Sequence, residues 1–264
     1  MSFLQLQQNY GSLSSEESKE YGDKAFSDMM YSKVLSVLLV NSLGYDVLYQ
    51  DVDIVWYKHP LALFHSDESR RASKDIIFQD DGSRSARFSS SFANSGFYFA
   101  RYNERTQYLF TRLLYSSGMI FESRSHQQVL IALMNEHISS YGLRVEILQG
   151  EILLGGKQFH RDKALMKNVM KGLKTPFIFH MSWTKNKENK IKFLKQMGLW
   201  HVRKSCHDSD RVNLKMLSED ERQSQLKRLC CSIDPLITCS FRDKPSIIPC
   251  NQSPNIDKNG HPFW

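Results

Sequence analysis

The sequence predicts an α/β protein in which a mixed sheet is flanked by helices and followed by an irregular, cysteine-containing tail. First, apolar residues with helical spacing occupy 24–43 and run directly into a short apolar strand at 45–50. Second, helix-like and strand-like segments continue to alternate as far as residue 197, which is typical of α/β folds. Third, all five cysteines and five of the seven prolines lie beyond residue 205, a composition that favours irregular structure.

The first predicted unit is a helix followed by a strand. Helix 24–43 is followed by Gly44, a residue common just after helix C-termini. The apolar positions of the helix recur three and four residues apart, at Phe26, Met29, Met30, Val34, Leu38 and Leu39. Strand 45–50 follows without a linker, so we expect the two elements to form one αβ unit of a doubly wound sheet.

Later strands and helices are predicted by the same criteria. The strands are placed at 75–79, 95–102, 144–148 and 175–179, and the helices at 103–116, 125–136 and 185–197. The continuous apolar run Phe97-Tyr98-Phe99 indicates a strand that is buried on both faces. Asn103 is a suitable N-cap for the first of these helices, and Ser123 or Ser125 for the second.

Length and charge limit the class of protein. The chain has 264 residues with 41% apolar content, enough for one sizeable core or two small ones. A net charge of +7 fits either ordinary solubility or attraction of an anionic substrate. No groove-reading motif accompanies the charge, so we predict no nucleic-acid partner. The predicted organisation is a polar N-terminal segment at 1–22, an α/β domain at 23–204 and a Cys/Pro-rich extension at 205–264.

The cysteines lie at 206, 230, 231, 239 and 250. Their clustering predicts disulfides in the tail and therefore an oxidising compartment. A zinc site is the competing interpretation, but the adjacent pair Cys230-Cys231 lacks the usual spacing of zinc ligands. The sequence has no run of about 18 apolar residues, so it predicts no membrane span. The residues after Met1 are too polar for a signal peptide. A secreted-type tail without a targeting segment suggests that the chain lacks its natural N-terminus.

Asp51 and Asp53 are the first candidate site residues. They follow strand 45–50 directly and are spaced one residue apart, so in an extended chain both side chains point the same way. Two carboxylates beside a turn suit a divalent cation that also holds water and substrate phosphates. The alternative is a pair of solvated carboxylates at a strand end.

Other motifs offer groups for a sugar. Asn94-Ser95-Gly96 combines an amide with a glycine that permits close approach of a ligand, although a plain turn explains it as well. His180 ends an apolar strand and is either a metal ligand or a core histidine. Asp80-Asp81 stands before Gly82, and a surface turn explains this acidic pair at least as well as sugar binding.

The ordered set of motifs resembles the nucleotide-diphospho-sugar transferase family over about residues 21–202. The matching segments are Tyr49-Gln50-Asp51-Val52-Asp53-Ile54-Val55-Trp56-Tyr57-Lys58-His59-Pro60-Leu61, Asn94-Ser95-Gly96-Phe97-Tyr98, Ser125-His126-Gln127-Gln128 and His180-Met181-Ser182-Trp183-Thr184. The family includes plant and slime-mould xylosyl-, arabinosyl- and galactosyltransferases with a GT-A fold. The resemblance implies a GT-A-like, Rossmann-type sheet in 23–204. It also implies that N-terminal βα units, which bind the nucleotide base in related enzymes, are missing here.

The resemblance implies roles for particular residues. Asp51, Asp53 and His180 would hold Mn²⁺ or Mg²⁺, with Asp53 as the direct ligand and Asp51 as partner to the ribose or sugar. Asp51, Asp53 and Lys185 would act in catalysis, with Lys185 meeting the diphosphate charge. The residues implied to bind substrate are Asn94, Ser95, Gly96, Gln127 and Trp183.

The resemblance also predicts partners and location. The donor would be a nucleotide-diphospho-sugar, such as a UDP-sugar, and the acceptor a hydroxyl of a glycan or glycoprotein, with retention of configuration. We expect a Golgi or secretory lumen location, with membrane attachment only through an N-terminal anchor outside this chain. His126 or Gln127 stands where the family usually has an acid. This departure favours the alternative of an inactive carbohydrate- or nucleotide-sugar-binding module.

Overall fold

The computed structural model describes residues 22–59, 61–64, 69–82, 92–170, 172–184 and 186–203, together with residue 18 and scattered positions between 218 and 245. The helices are α1 Lys24–Ser42, α2 Leu61–Phe64, α3 Ser69–Ala72, α4 Glu104–Tyr115, α5 Ser117–Ser123, α6 His126–Tyr141, α7 Gly156–Arg161, α8 Lys163–Met170 and α9 Lys187–Gln196. The strands are β1 Val47–Gln50, β2 Ile54–Trp56, β3 Ile76–Asp80, β4 Ala93–Ala100, β5 Val145–Leu148, β6 Leu153–Gly155, β7 Ile178–His180, β8 Ser240–Phe241 and β9 Lys244–Pro245.

The described strands form a four-stranded sheet, a three-stranded sheet and the short pair β8–β9. The larger sheet has the order β1-β4-β3-β5, in which β4 is antiparallel to both neighbours and β3 is parallel to β5. The smaller sheet has the order β2-β7-β6, with β7 antiparallel to β2 and parallel to β6. Because β4 runs against β1 and β3, its first residues lie beside the carboxyl ends of those two strands.

Strand β4 separates two hydrophobic cores. All eight of its residues are buried. Tyr98 and Ala100 belong to the core that contains α1, α4, α5 and α6, whereas Phe97 and Phe99 belong to the core that contains α2 and the smaller sheet. This alternation follows from the two-residue period of a strand. The predicted burial of the Phe97-Tyr98-Phe99 run on both faces is confirmed.

Local capping fixes the helices that carry the first core. Asp23 accepts a hydrogen bond from the backbone N–H of Phe26 at 2.7 Å, which begins α1. Gly44 adopts a left-handed φ of 91° just after this helix, a conformation that favours glycine and directs the chain into β1. Asn103 and Thr106 form a reciprocal capping box at the start of α4. The predicted cap Asn103 is confirmed, and Ser125 is the cap of α6.

The chain forms two compact units. One comprises Met1–Lys157 and Pro176–Asn186, and it contains the four-stranded and the three-stranded sheet. The other comprises Gln158–Thr175 and Lys187–Trp264. Within the second unit, the ring of Phe159 lies 5.1 Å from that of Phe193, and both side chains are fully buried. The domain boundaries expected from the sequence stay a prediction, because most of 205–264 lies outside the described residues.

The predicted α/β class with a mixed sheet is confirmed, and the structure corrects several details. Strand β1 pairs antiparallel with β4, so among the described strands it does not make the parallel pairing expected of a doubly wound unit. Asn94 and Gly96 lie inside β4 rather than in a turn before it. In the described part of the chain, nine short elements of two to eight residues were not predicted, because such segments are too short to show a clear period. They are β2, α2, α3, α5, β6, α7, α8, β8 and β9.

Two findings concern the tail and the membrane. Cys231 is exposed with a free thiol, and Cys230 is buried. The other three cysteines lie outside the described residues, so the pairing of the tail cysteines stays a prediction. No helix among the described residues has the length and apolar character needed to cross a bilayer.

Candidate metal centre and active site

Asp51, Asp53 and His180 converge at the carboxyl ends of β1 and β7. The backbone N–H of Asp51 donates to the carbonyl of Gly96 at 2.7 Å, which holds the turn after β1 against β4. The N–H of Met181 donates to the carbonyl of Asp53 at 3.0 Å, which joins that turn to the residue after β7. One ligand atom from each of the three side chains lies within 4.8 Å of the others. The spacing predicted that Asp51 and Asp53 face one point, and the resemblance implied His180 as a third ligand. The structure brings the three side chains together, through a turn at 52–53 rather than an extended strand.

The three side chains fit a divalent cation. Two carboxylates supply hard oxygen ligands, and the imidazole supplies a nitrogen ligand that suits Mn²⁺ better than Mg²⁺. His180 is buried with 3% exposure, so its orientation is fixed by packing. A Cβ added to Gly96 would lie 2.6 Å from Asp51 Oδ2 and 2.7 Å from His180 Cε1, so glycine keeps this space clear of a side chain.

The two aspartates differ in their surroundings. Lys33 on α1 forms an ion pair with Asp51, with 2.5 Å between Nζ and Oδ1, and the Tyr49 hydroxyl donates to the same oxygen at 3.3 Å. Burial raises the pKa of Tyr49, so this hydroxyl stays protonated at neutral pH. Asp53 Oδ1 instead lies 3.5 Å from His180 Nε2. One oxygen of Asp51 is thus committed to Lys33, while Asp53 and His180 face each other.

Asp81 connects the candidate sugar-binding residues. Its Oδ1 accepts from Asn94 Nδ2 at 2.7 Å, and its Oδ2 accepts from Gln127 Nε2 at 3.3 Å. Its backbone carbonyl accepts from Trp183 Nε1 at 2.8 Å. Burial raises the pKa of Asp81 above its ordinary value, although the hydrogen bond from Asn94 and the proximity of His180 act in the opposite direction. Asp81 therefore belongs to the site and not to a surface turn.

The residues of the Ser125–Gln128 segment point in different directions. Gln127 faces β4, where its Oε1 accepts from Ser95 N at 3.0 Å and from Ser95 Oγ at 3.1 Å. His126 points into the core, and its Nδ1 lies 3.1 Å from Met30 Sδ. Burial, with a smaller contribution from Lys33, lowers the pKa of His126 to about 3. Of the two residues that stand at the family's acidic position, only Gln127 lies beside Asp81.

The candidate metal ligands and the candidate sugar-binding residues meet at Gly96. Its N–H donates to Asn94 Oδ1 at 2.7 Å, while its α-carbon faces Asp51 and His180. The structure thus brings together Asp51, Asp53, Asn94, Ser95, Gly96, Gln127, His180 and Trp183. Lys185 lies outside the described residues, so its predicted role is not addressed by the structure.

Sequence reasoning missed two residues that contact the site and left a third undecided. Lys33 is a charged residue within an apolar helical stretch, and Gln79 is a polar residue that ends the run Ile76-Ile77-Phe78. Asp81 was left open as a surface turn. Lys33 and Gln79 gave a weak signal because each is polar where the local pattern is apolar. Asp81 gave a weak signal because it belongs to an acidic pair beside a strand end.

Two carboxylates and an imidazole at strand ends of a mixed α/β fold are the arrangement expected of a GT-A-like nucleotide-sugar transferase. The chain belongs to the nucleotide-diphospho-sugar transferase family, whose sequence profile matches residues 3–194.

Named relatives agree with this assignment. The chain is 27% identical over 237 residues to "UDP-galactose:fucoside alpha-3-galactosyltransferase" of Dictyostelium discoideum, an alignment that covers 81% of this chain and 34% of the relative. It is 26% identical over 195 residues to "Beta-arabinofuranosyltransferase RAY1" of Arabidopsis thaliana, which covers 68% of this chain and 35% of the relative. The matched region thus spans about a third of each of these two proteins. No solved structure matches the chain significantly.

Proposed function

We propose that this chain forms the catalytic region of a metal-dependent glycosyltransferase. It would move a sugar from a nucleotide-diphospho-sugar, specifically a UDP-sugar, to a hydroxyl of a glycan or glycoprotein, with retention of configuration. The observation that carries the proposal is the convergence of Asp51, Asp53 and His180 within 4.8 Å, in a chain of this family. The UDP donor is supported by the name of the Dictyostelium relative, which includes UDP-galactose.

The candidate metal site would assist the departure of the nucleoside diphosphate. A divalent cation held by these residues would neutralise the diphosphate and stabilise the leaving group. Asp53 and His180 would be the direct ligands, and Asp51 would offer Oδ2, since its Oδ1 is held by Lys33. The ion pair with Lys33 also partly balances the negative charge of two neighbouring carboxylates. Lys185 would meet the diphosphate from the segment that follows His180, as the family resemblance implies.

The cluster formed by Asp81, Asn94, Gln127 and Trp183 supports binding of the donor sugar. Asn94 and Gln127 are held by their bonds to Asp81, and each retains acceptor or donor capacity for a sugar hydroxyl. Trp183 offers a flat apolar surface with 40% exposure, and its indole N–H is fixed on the Asp81 carbonyl. Preorganised polar groups of this kind orient a substrate at little entropic cost when it binds. Their role would be to fix the sugar ring and its C1 relative to the diphosphate.

The surroundings of C1 favour attack from the front face. His126, at the position where the family usually has an acid, is buried against Met30, and Gln127 beside it is neutral. Both oxygens of Asp81 already accept hydrogen bonds, which lowers their capacity to act as a nucleophile. In this mechanism the acceptor oxygen forms a bond to C1 while the bond from C1 to the diphosphate oxygen breaks. The proton of the acceptor hydroxyl passes to a phosphate oxygen of the departing nucleotide.

The same neutral Gln127 supports the second candidate, a nucleotide-sugar-binding module without turnover. Both candidates predict metal-dependent binding of a UDP-sugar, and only the enzyme predicts release of UDP. In either case we propose a Golgi or secretory lumen location, which the clustered tail cysteines support.

The proposal is tested by titrating UDP into wild-type protein and the Asp53→Ala variant in Mn²⁺, measured by calorimetry. Because Asp53 is assigned as a direct ligand, we expect the variant to lose at least about 10²-fold in UDP affinity, which corresponds to about 2.7 kcal/mol. The matched control is Glu122→Ala, which removes an exposed carboxylate on α5 outside the site.

Turnover is measured separately, as UDP release from a panel of UDP-sugars in Mn²⁺. Equal UDP affinity of wild-type protein and Asp53→Ala would contradict the metal assignment. Metal-dependent binding without UDP release from any donor would favour the binding module. A glycosyl group trapped covalently on a carboxylate would contradict front-face attack.

A further inference from the structure

Gln79 is a fully buried glutamine at the point where the two sheets meet. It lies in β3 of the four-stranded sheet, and its side chain has 0% exposure. Its Nε2 donates to the carbonyls of Leu153 and Leu154 on β6 of the three-stranded sheet, at 3.1 and 3.0 Å. Its Oε1 lies 2.8 Å from His180 Nδ1. The amide therefore uses all its donors and reaches the candidate metal ligand with its only acceptor.

The orientation of this amide is determined by its partners. The carbonyls of Leu153 and Leu154 can only accept hydrogen bonds, so the NH₂ group must face them. A flipped amide would place Oε1 against two carbonyl oxygens and leave two buried repulsions. Oε1 must then face His180, and a hydrogen bond at 2.8 Å requires that Nδ1 carry the proton.

We infer that Gln79 is a positioning residue that selects the Nδ1–H tautomer of His180 and so leaves the Nε2 lone pair directed toward Asp53. This inference rests on the proposed metal site. A histidine binds a metal through a nitrogen that has a free lone pair, and the hydrogen bond at the other nitrogen decides which nitrogen that is. The separation of 3.5 Å between Nε2 and Asp53 Oδ1 is too long for a strong hydrogen bond.

The same contacts explain why β3 and β6 support the site. Gly155 pairs with His180, so the strand that fixes the Gln79 amide is also the neighbour of the ligand strand. Rotation of the His180 ring would break its bond to Gln79, and rotation of Gln79 would break two bonds to β6. A buried polar network of this kind is costly to leave half satisfied, so it holds one arrangement.

The direct test is ¹⁵N NMR of the histidine side chains in labelled, metal-free protein at pH 8. His180 is assigned by its absence from a His180→Asn spectrum. We expect Nδ1–H in wild-type protein and in Gln79→Glu, whose carboxylate still accepts from Nδ1 although it loses both bonds to β6. We expect Gln79→Leu, which has no acceptor, to shift His180 toward the Nε2–H tautomer. An Nε2–H tautomer in wild-type protein would overturn the inference without any use of metal.

The second readout is Mn²⁺ affinity, measured by electron paramagnetic resonance. Loss of a residue that orients a metal ligand costs about 10- to 100-fold in affinity, which we expect for Gln79→Leu. Thr106→Ala, which removes the capping box of α4 in the same unit, is the control for lost stability and should keep wild-type affinity. An unchanged tautomer and affinity in Gln79→Leu would also overturn the inference. Wild-type protein that shows Nδ1–H but binds no Mn²⁺ would support tautomer selection and contradict the proposed function alone.

Discussion

Replacement of Gly96 by alanine should disrupt the candidate metal centre through one added methyl group. Gly96 has no left-handed φ, so the backbone of β4 accepts alanine without strain. The obstruction is spatial. The new Cβ would lie 2.6 Å from Asp51 Oδ2, 2.7 Å from His180 Cε1 and 3.0 Å from Asn94 Oδ1.

The size of the effect follows from these distances. Ordinary van der Waals contact begins at 3.4 Å, so the closest approach is roughly 0.8 Å too short and Asp51 or His180 must move. His180 is held by Gln79 and Asp51 by Lys33, so neither moves freely. Overpacking of this kind costs about 1–3 kcal/mol of stability. A displacement near 1 Å at a ligand is enough to lower affinity or turnover by about 10²-fold.

The assay combines thermal unfolding with a Mn²⁺ titration of Gly96→Ala. The matched control is Gly118→Ala on α5, where an added Cβ meets no atom within 4 Å. Since alanine favours a helix over glycine, the control should lose no stability and keep its Mn²⁺ affinity. Wild-type stability and Mn²⁺ affinity in Gly96→Ala would refute the assigned geometry of the site.

Two further predictions concern Asp81 and His126. Asp81→Asn places another amide against those of Asn94 and Gln127. We therefore expect UDP affinity within twofold of wild type and donor turnover lowered by about 10²-fold. Unchanged UDP release would show that Asp81 does not belong to the site. The pKa of His126 is lowered to about 3, below the ordinary 6.5, so between these values the unfolded chain binds more protons. The contribution of neutral His126 to the free energy of unfolding is complete above pH 6.5. Below that pH it falls by about 1.4 kcal/mol per pH unit, or about 2 kcal/mol by pH 5. Urea unfolding from pH 7 to 5 should show this loss reduced in His126→Gln; equal slopes in the two proteins would disprove it.

The parts of the fold that sequence could predict are those set by neighbours along the chain. Helix α1, strand β1 and the cap Asn103 follow from local period and capping chemistry. Asp51 and Asp53 were found because their spacing of two residues is itself local. Gln79 and Asp81 gain their meaning only from strands β6 and β4, which are brought beside them by the fold. No local pattern shows which distant carbonyl or amide a polar side chain will meet.

The antiparallel pairing of β1 shows the same limit. The helix–strand order before Asp51 is shared by parallel and antiparallel arrangements, because it fixes where the strand begins and not which strand lies beside it. Val47 in fact pairs with Ala100, which is far away in sequence. Pairing partners depend on the burial of both faces of β4, a property of the assembled sheet.

Under the proposed function, strand β4 also limits how this chain can change its preference for a donor sugar. A strand with two buried faces cannot be altered one residue at a time, because any new side chain at Asn94 or Ser95 displaces neighbours in a packed layer. Gln127 and Trp183 approach the same space from outside the strand, and both are partly exposed. Under the proposed function, substitutions that exchange one donor sugar for another should therefore accumulate at these two positions, while the residues of β4 stay unchanged.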